Sequence, residues 1–397
     1  RSFPTSVIHT VDSTDLSTPQ QSELMVMQFT QSESGPFREI PVIDLAEITN
    51  ADPIVRQALV DQVTGACREV GFFYVKNHGI PNEVFVRTLA AMRQFFDLPL
   101  EDKLEELEFT CLFLAFSPFA QVENSKTPNF KGYSPLLSGN NDPNGAGDVQ
   151  EGFEFGFEPM DDSSLFNDAE SQGIMSGANI WPTGLPEFRA AALDYYHHAL
   201  ALGRQLFPLF ALALNLPEDF FADKTRKSAA LMRLLHYPPQ FGEIDNRTIG
   251  IGAHTDWECF TILWQEPGIQ ALQVLNSSKE WIDAPPLEGT LVINLGDELA
   301  RWTNDVFTST VHRAINRSGV RRYSIPLFFG TDYDVRLVAR LPPICCRREF
   351  TPSDCSRFPA VSPKNVRLNT RLSRLESISR DVSAQPMGIR VRRSQIL

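Results

Sequence analysis

The stretch "IGAHTDWECFTILW", residues 251–264, places two side chains that can bind a metal inside an apolar, β-branched and aromatic run. Such a run is typical of a half-buried strand. Because side chains alternate between the two faces of a strand, we expect His254 and Asp256 to point the same way, with Thr255 on the other face. A buried carboxylate is paired, hydrogen-bonded or bound to a metal. A lone His-x-Asp pattern also fits a solvated edge strand, so this motif alone does not establish a metal site.

The composition indicates a globular protein whose partner is not nucleic acid. Of 397 residues, 42% are hydrophobic and 21% are charged, and the formal net charge is −13. Binding to a nucleic-acid backbone would favour a basic face instead. No apolar run approaches the roughly 18 residues that span a bilayer, and the six cysteines lack the CxxC spacing of a zinc ribbon. We expect a soluble, cytoplasmic monomer with no membrane partner.

The N-terminal half is predicted to be largely helical. Residues 1–38 are rich in Ser, Thr and Gln and are interpreted as a disordered lead-in to a helical region over 39–228. Apolar spacing predicts one helix over 52–70, a second that begins near Pro81, and a longer third over 186–214. The stretch 127–183 is predicted to be rich in loops.

From residue 229 the pattern changes to short β-rich runs separated by Gly, Pro, Asn and Asp. "ALMRLLHYPP", "CFTILWQ", "ALQVLN", "LVINLG", "STVHRAIN" and "RYSIPLFFG" follow one another at the spacing expected of a barrel or sandwich. We assign residues 229–341 to this β core.

Two segments do not fit the rest of the chain. Residues 106–121, "ELEFTCLFLAFSPFAQ", form a sudden apolar burst between polar stretches. Residues 342–397 lose apolar periodicity, and from Arg336 onward 13 Arg or Lys stand against 4 Asp or Glu. We interpret 106–121 as an aberrant insert and 342–397 as an atypical basic tail, both derived from retained intron or frame-shifted sequence.

A third metal-capable residue, His312, lies on another predicted strand, in "STVHRAIN". Two histidines and one carboxylate form the facial triad suited to non-haem Fe(II), which leaves three positions open on the metal. Catalytic zinc also uses such residues, so the triad alone leaves both metals open.

Nine residues after His312, from Arg321, the chain reads "RRYSIPLFF". Alternation along this strand puts Arg322 and Ser324 on one face. A guanidinium with a hydroxyl beside it can hold a carboxylate through charge-assisted hydrogen bonds. An ion pair with a surface Asp is the alternative for an arginine considered alone.

These motifs together resemble one family. "GAHTDWECFTIL", "LVINLGDELARWTNDVFTSTVHRAINRSG" and "RRYSIPLFFGTDYD" are similar to the core of the Fe(II)- and 2-oxoglutarate-dependent dioxygenases of the isopenicillin N synthase-like superfamily. "IPVIDLAEI" and "GFFYVKNHGIP" resemble its N-terminal region, and the likeness covers residues 39–105 and 122–338. It implies a mainly β protein with flanking helices, built on a double-stranded β-helix, or jelly roll.

The resemblance also implies a site and a reaction. Fe(II) would be held by His254, Asp256 and His312, and the distal carboxylate of 2-oxoglutarate by Arg322 and Ser324. Tyr237 would donate to the same carboxylate, while Leu235 stands where many relatives have an Asn. With O2 as the oxidant, such enzymes hydroxylate or desaturate a small organic molecule and release succinate and CO2, often in secondary metabolism.

The substrate contacts and two rival functions stay open at this point. One rival is an oxidase that uses the same triad without 2-oxoglutarate, as isopenicillin N synthase and ACC oxidase do. The other is an inactive jelly-roll protein. The aromatic residues that we regard as candidate pocket walls are Tyr133, Phe155, Trp257, Phe260 and Phe329.

Overall fold

The computed structural model describes residues 35–104, 129, 131–139, 147–159, 178–226, 229–241, 249–332 and 335. Nearly all of the predicted lead-in, the segment 106–121 and the tail 342–397 lie outside the described residues, so these interpretations and the domain boundaries stay predictions. The chain divides into two compact units. The first spans residues 1–301 and 305–337 and holds the sheets and the site described below; of the second, the structure describes Trp302–Asn304.

Among the described residues, four of the five helices lie before residue 214 and eight of the twelve strands lie after residue 229, which is close to the predicted division of the chain. The helices are α1 (Pro53–Glu69), α2 (Asn82–Phe96), α3 (Leu100–Leu104), α4 (Pro186–Ala213) and α5 (Asp297–Trp302). The strands are β1 (Val42–Asp44), β2 (Phe72–Lys76), β3 (Gly132–Ser134), β4 (Glu151–Gly156), β5 (Leu231–Tyr237), β6 (Ile251–His254), β7 (Phe260–Gln265), β8 (Leu272–Leu275), β9 (Trp281–Asp283), β10 (Thr290–Leu295), β11 (His312–Ala314) and β12 (Arg322–Phe329). Among these residues, no helix is both long enough and apolar enough to cross a membrane.

The strands form two sheets of unequal size. The larger sheet has the order β1-β2-β10-β7-β12-β5-β4-β3, and the smaller has the order β6-β11-β8-β9. A buried cluster joins Leu235 and Tyr237 of the larger sheet to Ala271 and Ala314 at the smaller one. Two sheets that enclose a shared core, with crossovers between them, form the jelly roll that the sequence predicts.

Each strand of the larger sheet has an inner face toward the smaller sheet and an outer face toward the helices. Tyr237 pairs with Arg322, and Leu235 pairs with Ser324, so these four side chains lie on the inner face with the buried cluster. Tyr323, between Arg322 and Ser324, is on the outer face, where its ring lies at a tilt to that of Phe96 of α2 with the centroids 6.2 Å apart. Polar groups for chemistry and aromatic groups for packing therefore occupy opposite faces.

Helix α4 packs closely against the outer face of the sheet. Phe207 of α4 makes edge contacts with Phe260 and Phe329, whose ring centroids lie 5.1 and 5.2 Å from its own. Gly203, one turn earlier, lets the helix approach β12, since a Cβ there would lie 2.4 Å from Cδ2 of Phe329. Any larger residue at Gly203 would push helix and strand apart.

The helix predictions agree with the structure to within a few residues, because Pro and Asp mark the helix starts. Asp52 caps α1 by accepting a hydrogen bond from the Ile54 amide at 2.8 Å. The loop prediction for 127–183 is wrong in part: β3 and β4 extend the larger sheet there. Gly152 and Gly156 lower the strand propensity of β4. Pairing with β5 stabilises the strand instead, and the local sequence does not reveal that pairing.

A buried polar network ties α3 to the outer face of β4. Glu151 Oε2 accepts hydrogen bonds from Lys103 Nζ at 2.8 Å and from the Tyr133 hydroxyl at 2.6 Å, and Glu151 Oε1 lies 2.7 Å from His236 Nδ1. Burial alone would raise the pKa of Glu151, but these three partners together lower it. The carboxylate is therefore ionised in the folded protein and neutralises a buried lysine.

We predict that Glu151→Gln lowers the free energy of unfolding by about 3 kcal/mol, because it leaves a buried ammonium without its counter-charge. A group whose pKa is lowered by folding stabilises the protein above its unfolded value, near 4.5, and loses that contribution as the pH falls through its folded value. Urea unfolding between pH 7 and pH 3 should show this loss in the wild type and not in Glu151→Gln. Glu187→Gln, at an exposed position of α4, is the control, and an equal effect there would contradict the prediction.

Candidate active site

Two histidines and one aspartate meet where β6 and β11 pair. His254 is the last residue of β6, and its register partner in β11 is His312. Asp256 follows in the turn that leads to β7, so the stretch 251–264 forms two strands in different sheets rather than one strand. The expectation that His254 and Asp256 share a strand face is therefore wrong, and the turn brings them together instead.

The three side chains converge on one point. Asp256 Oδ1 lies 3.6 Å from His254 Nε2 and 3.7 Å from His312 Nε2. One ligand atom from each residue lies within 4.8 Å of the others, so a single ion could contact all three. Among the described residues, this is the only such group of three or more.

Backbone carbonyls fix the orientation of both imidazoles. His254 Nδ1 lies 2.7 Å from the Gly252 carbonyl oxygen, and His312 Nδ1 lies 3.1 Å from that of Thr310. A carbonyl only accepts hydrogen bonds, so each Nδ1 carries the proton and each Nε2 keeps its lone pair for a metal. Burial lowers the pKa of His312 to about 4, which keeps this ring neutral at pH 7.

The two oxygens of Asp256 have different environments. Thr261 Oγ1 and Asn294 Nδ2 donate to Oδ2 at 2.5 and 2.7 Å, which leaves Oδ1 facing the two histidines. Burial opposes ionisation, but His312, His254 and Thr261 hold the pKa of Asp256 well below its usual range. The site therefore offers one carboxylate oxygen and two imidazole nitrogens, which is the donor set of a non-haem iron site.

Arg322 lies deep between the sheets with unused hydrogen-bond donors. Its side chain is 1% exposed. Nη2 donates to Gln265 Oε1 at 3.1 Å, whereas Nε and Nη1 are buried without a partner among the described residues. Gln265 is itself held by a hydrogen bond from Nε2 to the Ala284 carbonyl at 3.2 Å. A buried guanidinium with free donors needs an anion.

The other two predicted cosubstrate residues lie beside this arginine. The Arg322 guanidinium carbon is 4.8 Å from the centre of the Tyr237 ring, and Ser324 is two residues further along the inner face. Burial lowers the pKa of Arg322, an effect that Tyr237 opposes. Leu235, opposite Ser324, packs with Tyr237 and supplies no polar group.

Of the five aromatic residues proposed as pocket walls, four lie on the outer face of the larger sheet. Phe260 and Phe329 pack on α4, Phe155 contacts Tyr196 of the same helix, and Tyr133 contacts Phe95 of α2. The structure does not bring these four to the histidines. Trp257, beside Asp256 and 36% exposed, stays a candidate.

Three residues that the sequence analysis did not select contribute to the site. They are Thr261 and Asn294, which orient Asp256, and Gln265, which orients Arg322. Each stands at an alternate, inward position of an apolar strand, in "FTILWQ" or "LVINLG". The sequence signal that could have identified these three residues is a polar side chain within an otherwise apolar strand.

Comparisons with known proteins agree with this geometry. Residues 40–184 match the family described as non-haem dioxygenase in morphine synthesis, N-terminal. Residues 228–331 match the 2OG-Fe(II) oxygenase superfamily. The chain therefore belongs to the 2-oxoglutarate- and Fe(II)-dependent oxygenases, which are enzymes that use Fe(II), 2-oxoglutarate and O2.

Individual relatives support the same assignment. The chain is 34% identical over 331 residues to the 2-oxoglutarate-Fe(II) type oxidoreductase hxnY of Emericella nidulans, covering 82% of this chain and 87% of that one. It is 36% identical to the 2-oxoglutarate-dependent dioxygenase traH of Penicillium crustosum, covering 75% and 86%. The crystal structure of a full-length Neurospora crassa protein in complex with alpha-KG, which is 2-oxoglutarate, matches with a TM-score of 0.63 at 25% identity, over 79% of this chain and 92% of that one. These findings favour a 2-oxoglutarate-dependent enzyme over the oxidase alternative.

We predict that Asn294→Leu weakens Fe(II) binding by about 10- to 100-fold, because Asp256 loses one of the two donors that orient it. Anaerobic Fe(II) titration of the folded variant measures this change. Asn276→Leu is a matched control, since Asn276 is equally buried, at 2% exposure, and donates to the Phe37 carbonyl instead. Equal weakening in both variants would show that the Asn294 hydrogen bond is not special.

We predict that Gln265→Glu weakens 2-oxoglutarate binding by about 10-fold or more, because the new carboxylate would pair with Arg322 and compete for its donors. Isothermal titration of 2-oxoglutarate into the anaerobic Fe(II) protein measures the affinity. Gln270→Glu, at a half-buried position whose amide donates to the Leu272 carbonyl, should leave the affinity unchanged. An unchanged affinity in Gln265→Glu would mean that Arg322 does not bind the cosubstrate.

Proposed function

We propose that this enzyme hydroxylates or desaturates a small organic molecule at a site in which His254, Asp256 and His312 hold Fe(II). The observation that carries the proposal is that Asp256 Oδ1 lies close to one imidazole nitrogen of His254 and to one of His312. The buried Arg322, two of whose donors have no partner among the described residues, lies on the inner face of the larger sheet. Fe(II) and 2-oxoglutarate supply the oxidation of an unactivated C–H bond, with succinate and CO2 as coproducts.

The protein's own groups bind and orient the reactants. The Arg322 Nε and Nη1 donors, with the Ser324 and Tyr237 hydroxyls, would hold the distal carboxylate of 2-oxoglutarate. Gln265 keeps the guanidinium in place, so little side-chain entropy is lost on binding. The buried inner face excludes bulk water, which strengthens these charge-assisted contacts.

We also propose a substrate class and a cellular setting. Family members act on small molecules, as in the structure of the Neurospora crassa protein with alpha-KG and thymine. Several relatives are fungal proteins, which supports a role in secondary metabolism. The net charge of −13 supports a partner other than nucleic acid. A cytoplasmic, monomeric state stays a prediction.

The testing experiment compares two neighbouring arginines. Adding 2-oxoglutarate to the anaerobic Fe(II) protein should produce a weak visible charge-transfer band. Arg322→Ala should weaken that band and lower succinate release in air by about 100-fold, since a buried charge-assisted contact is lost. Arg321→Ala, which removes an exposed partner of Asp97, should change neither.

Three results would contradict parts of this proposal. Bound iron without a band in the wild type would favour the oxidase alternative. A protein that binds no iron would favour the inactive alternative. An unchanged band in Arg322→Ala would place the cosubstrate carboxylate elsewhere.

A further inference from the structure

The two histidines of the proposed metal site are oriented in the same way, each by the backbone carbonyl two residues before it. His254 Nδ1 donates to the Gly252 carbonyl, and His312 Nδ1 donates to the Thr310 carbonyl. A carbonyl can fix an imidazole ring only as firmly as its own residue is held. The orientation of each ring therefore depends on the contacts that hold Gly252 and Thr310.

Gly252 is held by a buried carboxylate. It lies in β6, an edge strand of the smaller sheet among the described residues, and its amide donates to Asp148 Oδ1 at 2.9 Å. An edge strand is held by a neighbouring strand on one side only, so this contact is a second support for β6. Asp148 is 3% exposed, and burial strengthens a hydrogen bond to a carboxylate.

The backbone around Asp148 is itself fixed. The Asp148 amide donates to the Gly139 carbonyl at 2.8 Å, and the Asp148 carbonyl accepts from the Leu137 amide at 3.2 Å. The next residue, Val149, donates through its amide to the Ile249 carbonyl at 2.9 Å, just before β6 begins. These contacts hold the carboxylate of Asp148 at a defined position beside β6.

Thr310 is held by a different part of the chain, the junction of α1 and β2. Its hydroxyl donates to the Val70 carbonyl at 2.6 Å. Gly71, with a φ of 72°, permits this approach, since a Cβ there would lie 2.2 Å from the Thr308 carbonyl oxygen. The hydrogen bond of the hydroxyl therefore fixes Thr310 against the end of α1, and the two histidines have separate supports.

We propose that Asp148 is a positioning residue for the metal ligand His254, and that it acts through the backbone of Gly252. This inference rests on the proposed function of the same site. Asp148 belongs to the region matched by the N-terminal family, whereas His254 belongs to the region matched by the oxygenase superfamily. The two matched regions would then build the metal site together.

The experiment loads the protein with Co(II) in place of iron, because this paramagnetic ion shifts the Nδ1 protons of bound histidines far downfield in proton NMR spectra. The wild type should show two such signals in H2O, one for each histidine, and both should disappear in D2O. The variants are Asp148→Ala and Asp148→Asn, and the same two changes at Asp194, in a half-buried ion pair on α4, are the controls. Thr310→Val, which removes the other support, serves as the reference for the second signal. Titration with Co(II) measures the affinity of each protein.

We expect Asp148→Ala to weaken Co(II) binding by about 10-fold or more. Asp148→Asn should weaken it by about threefold, because a neutral acceptor forms a weaker hydrogen bond than a carboxylate does. Both Asp148 variants should move the same one of the two signals, and Thr310→Val should move the other. The Asp194 variants should move neither signal and should bind Co(II) as tightly as the wild type.

Three results would overturn the inference. They are a shift of both signals in Asp148→Asn, a shift of the same signal in Asp148→Asn and Thr310→Val, and an Asp148→Asn variant whose affinity and signals equal those of the wild type. The Asn variant decides the matter even where Asp148→Ala does not fold. A wild type that binds no Co(II), or that binds it without two exchangeable shifted signals, would instead overturn the proposed function.

Discussion

The unequal use of the two Asp256 oxygens is the constraint on which the rest of the site depends. Thr261 and Asn294, on adjacent strands of the larger sheet, hold Oδ2, so Oδ1 can only face His254 and His312 across the gap between the sheets. The carboxylate thereby links the two sheets at one point. Its orientation depends on the register of β7 with β10, and a slip of one residue in either strand would turn the donor of that strand away.

The larger sheet separates chemistry from packing. Its outer face buries the rings of Phe260 and Phe329 against Phe207 of α4, while its inner face carries Arg322 and Ser324. The polar groups of the inner face cost stability when they are desolvated. The aromatic layer on the other side offsets that cost through buried apolar area.

Much of the fold and the centre of the site could be predicted from sequence, because their signals are local. Helix starts at Pro and Asp, alternating strands, and the His-x-Asp motif all act over a few residues. The polar supports Asn294 and Gln265 were not found, since their roles depend on which strands become neighbours. For the same reason Phe155 and Phe329 were named as candidate pocket walls although their rings pack on α4: alternation shows that a strand has two faces, not which one meets a helix. The rule that His254 and Asp256 share a face was wrong because the strand ends between them.

The close approach of α4 at Gly203 has a consequence for how this enzyme can change over time. Strand β12 is held on its outer face by Phe329 against that glycine, and the same strand presents the cosubstrate arginine on its inner face. The packing of α4 therefore helps to fix the position of Arg322, although helix and arginine lie on opposite faces of the sheet. Variation along α4 is therefore constrained by catalysis as well as by stability.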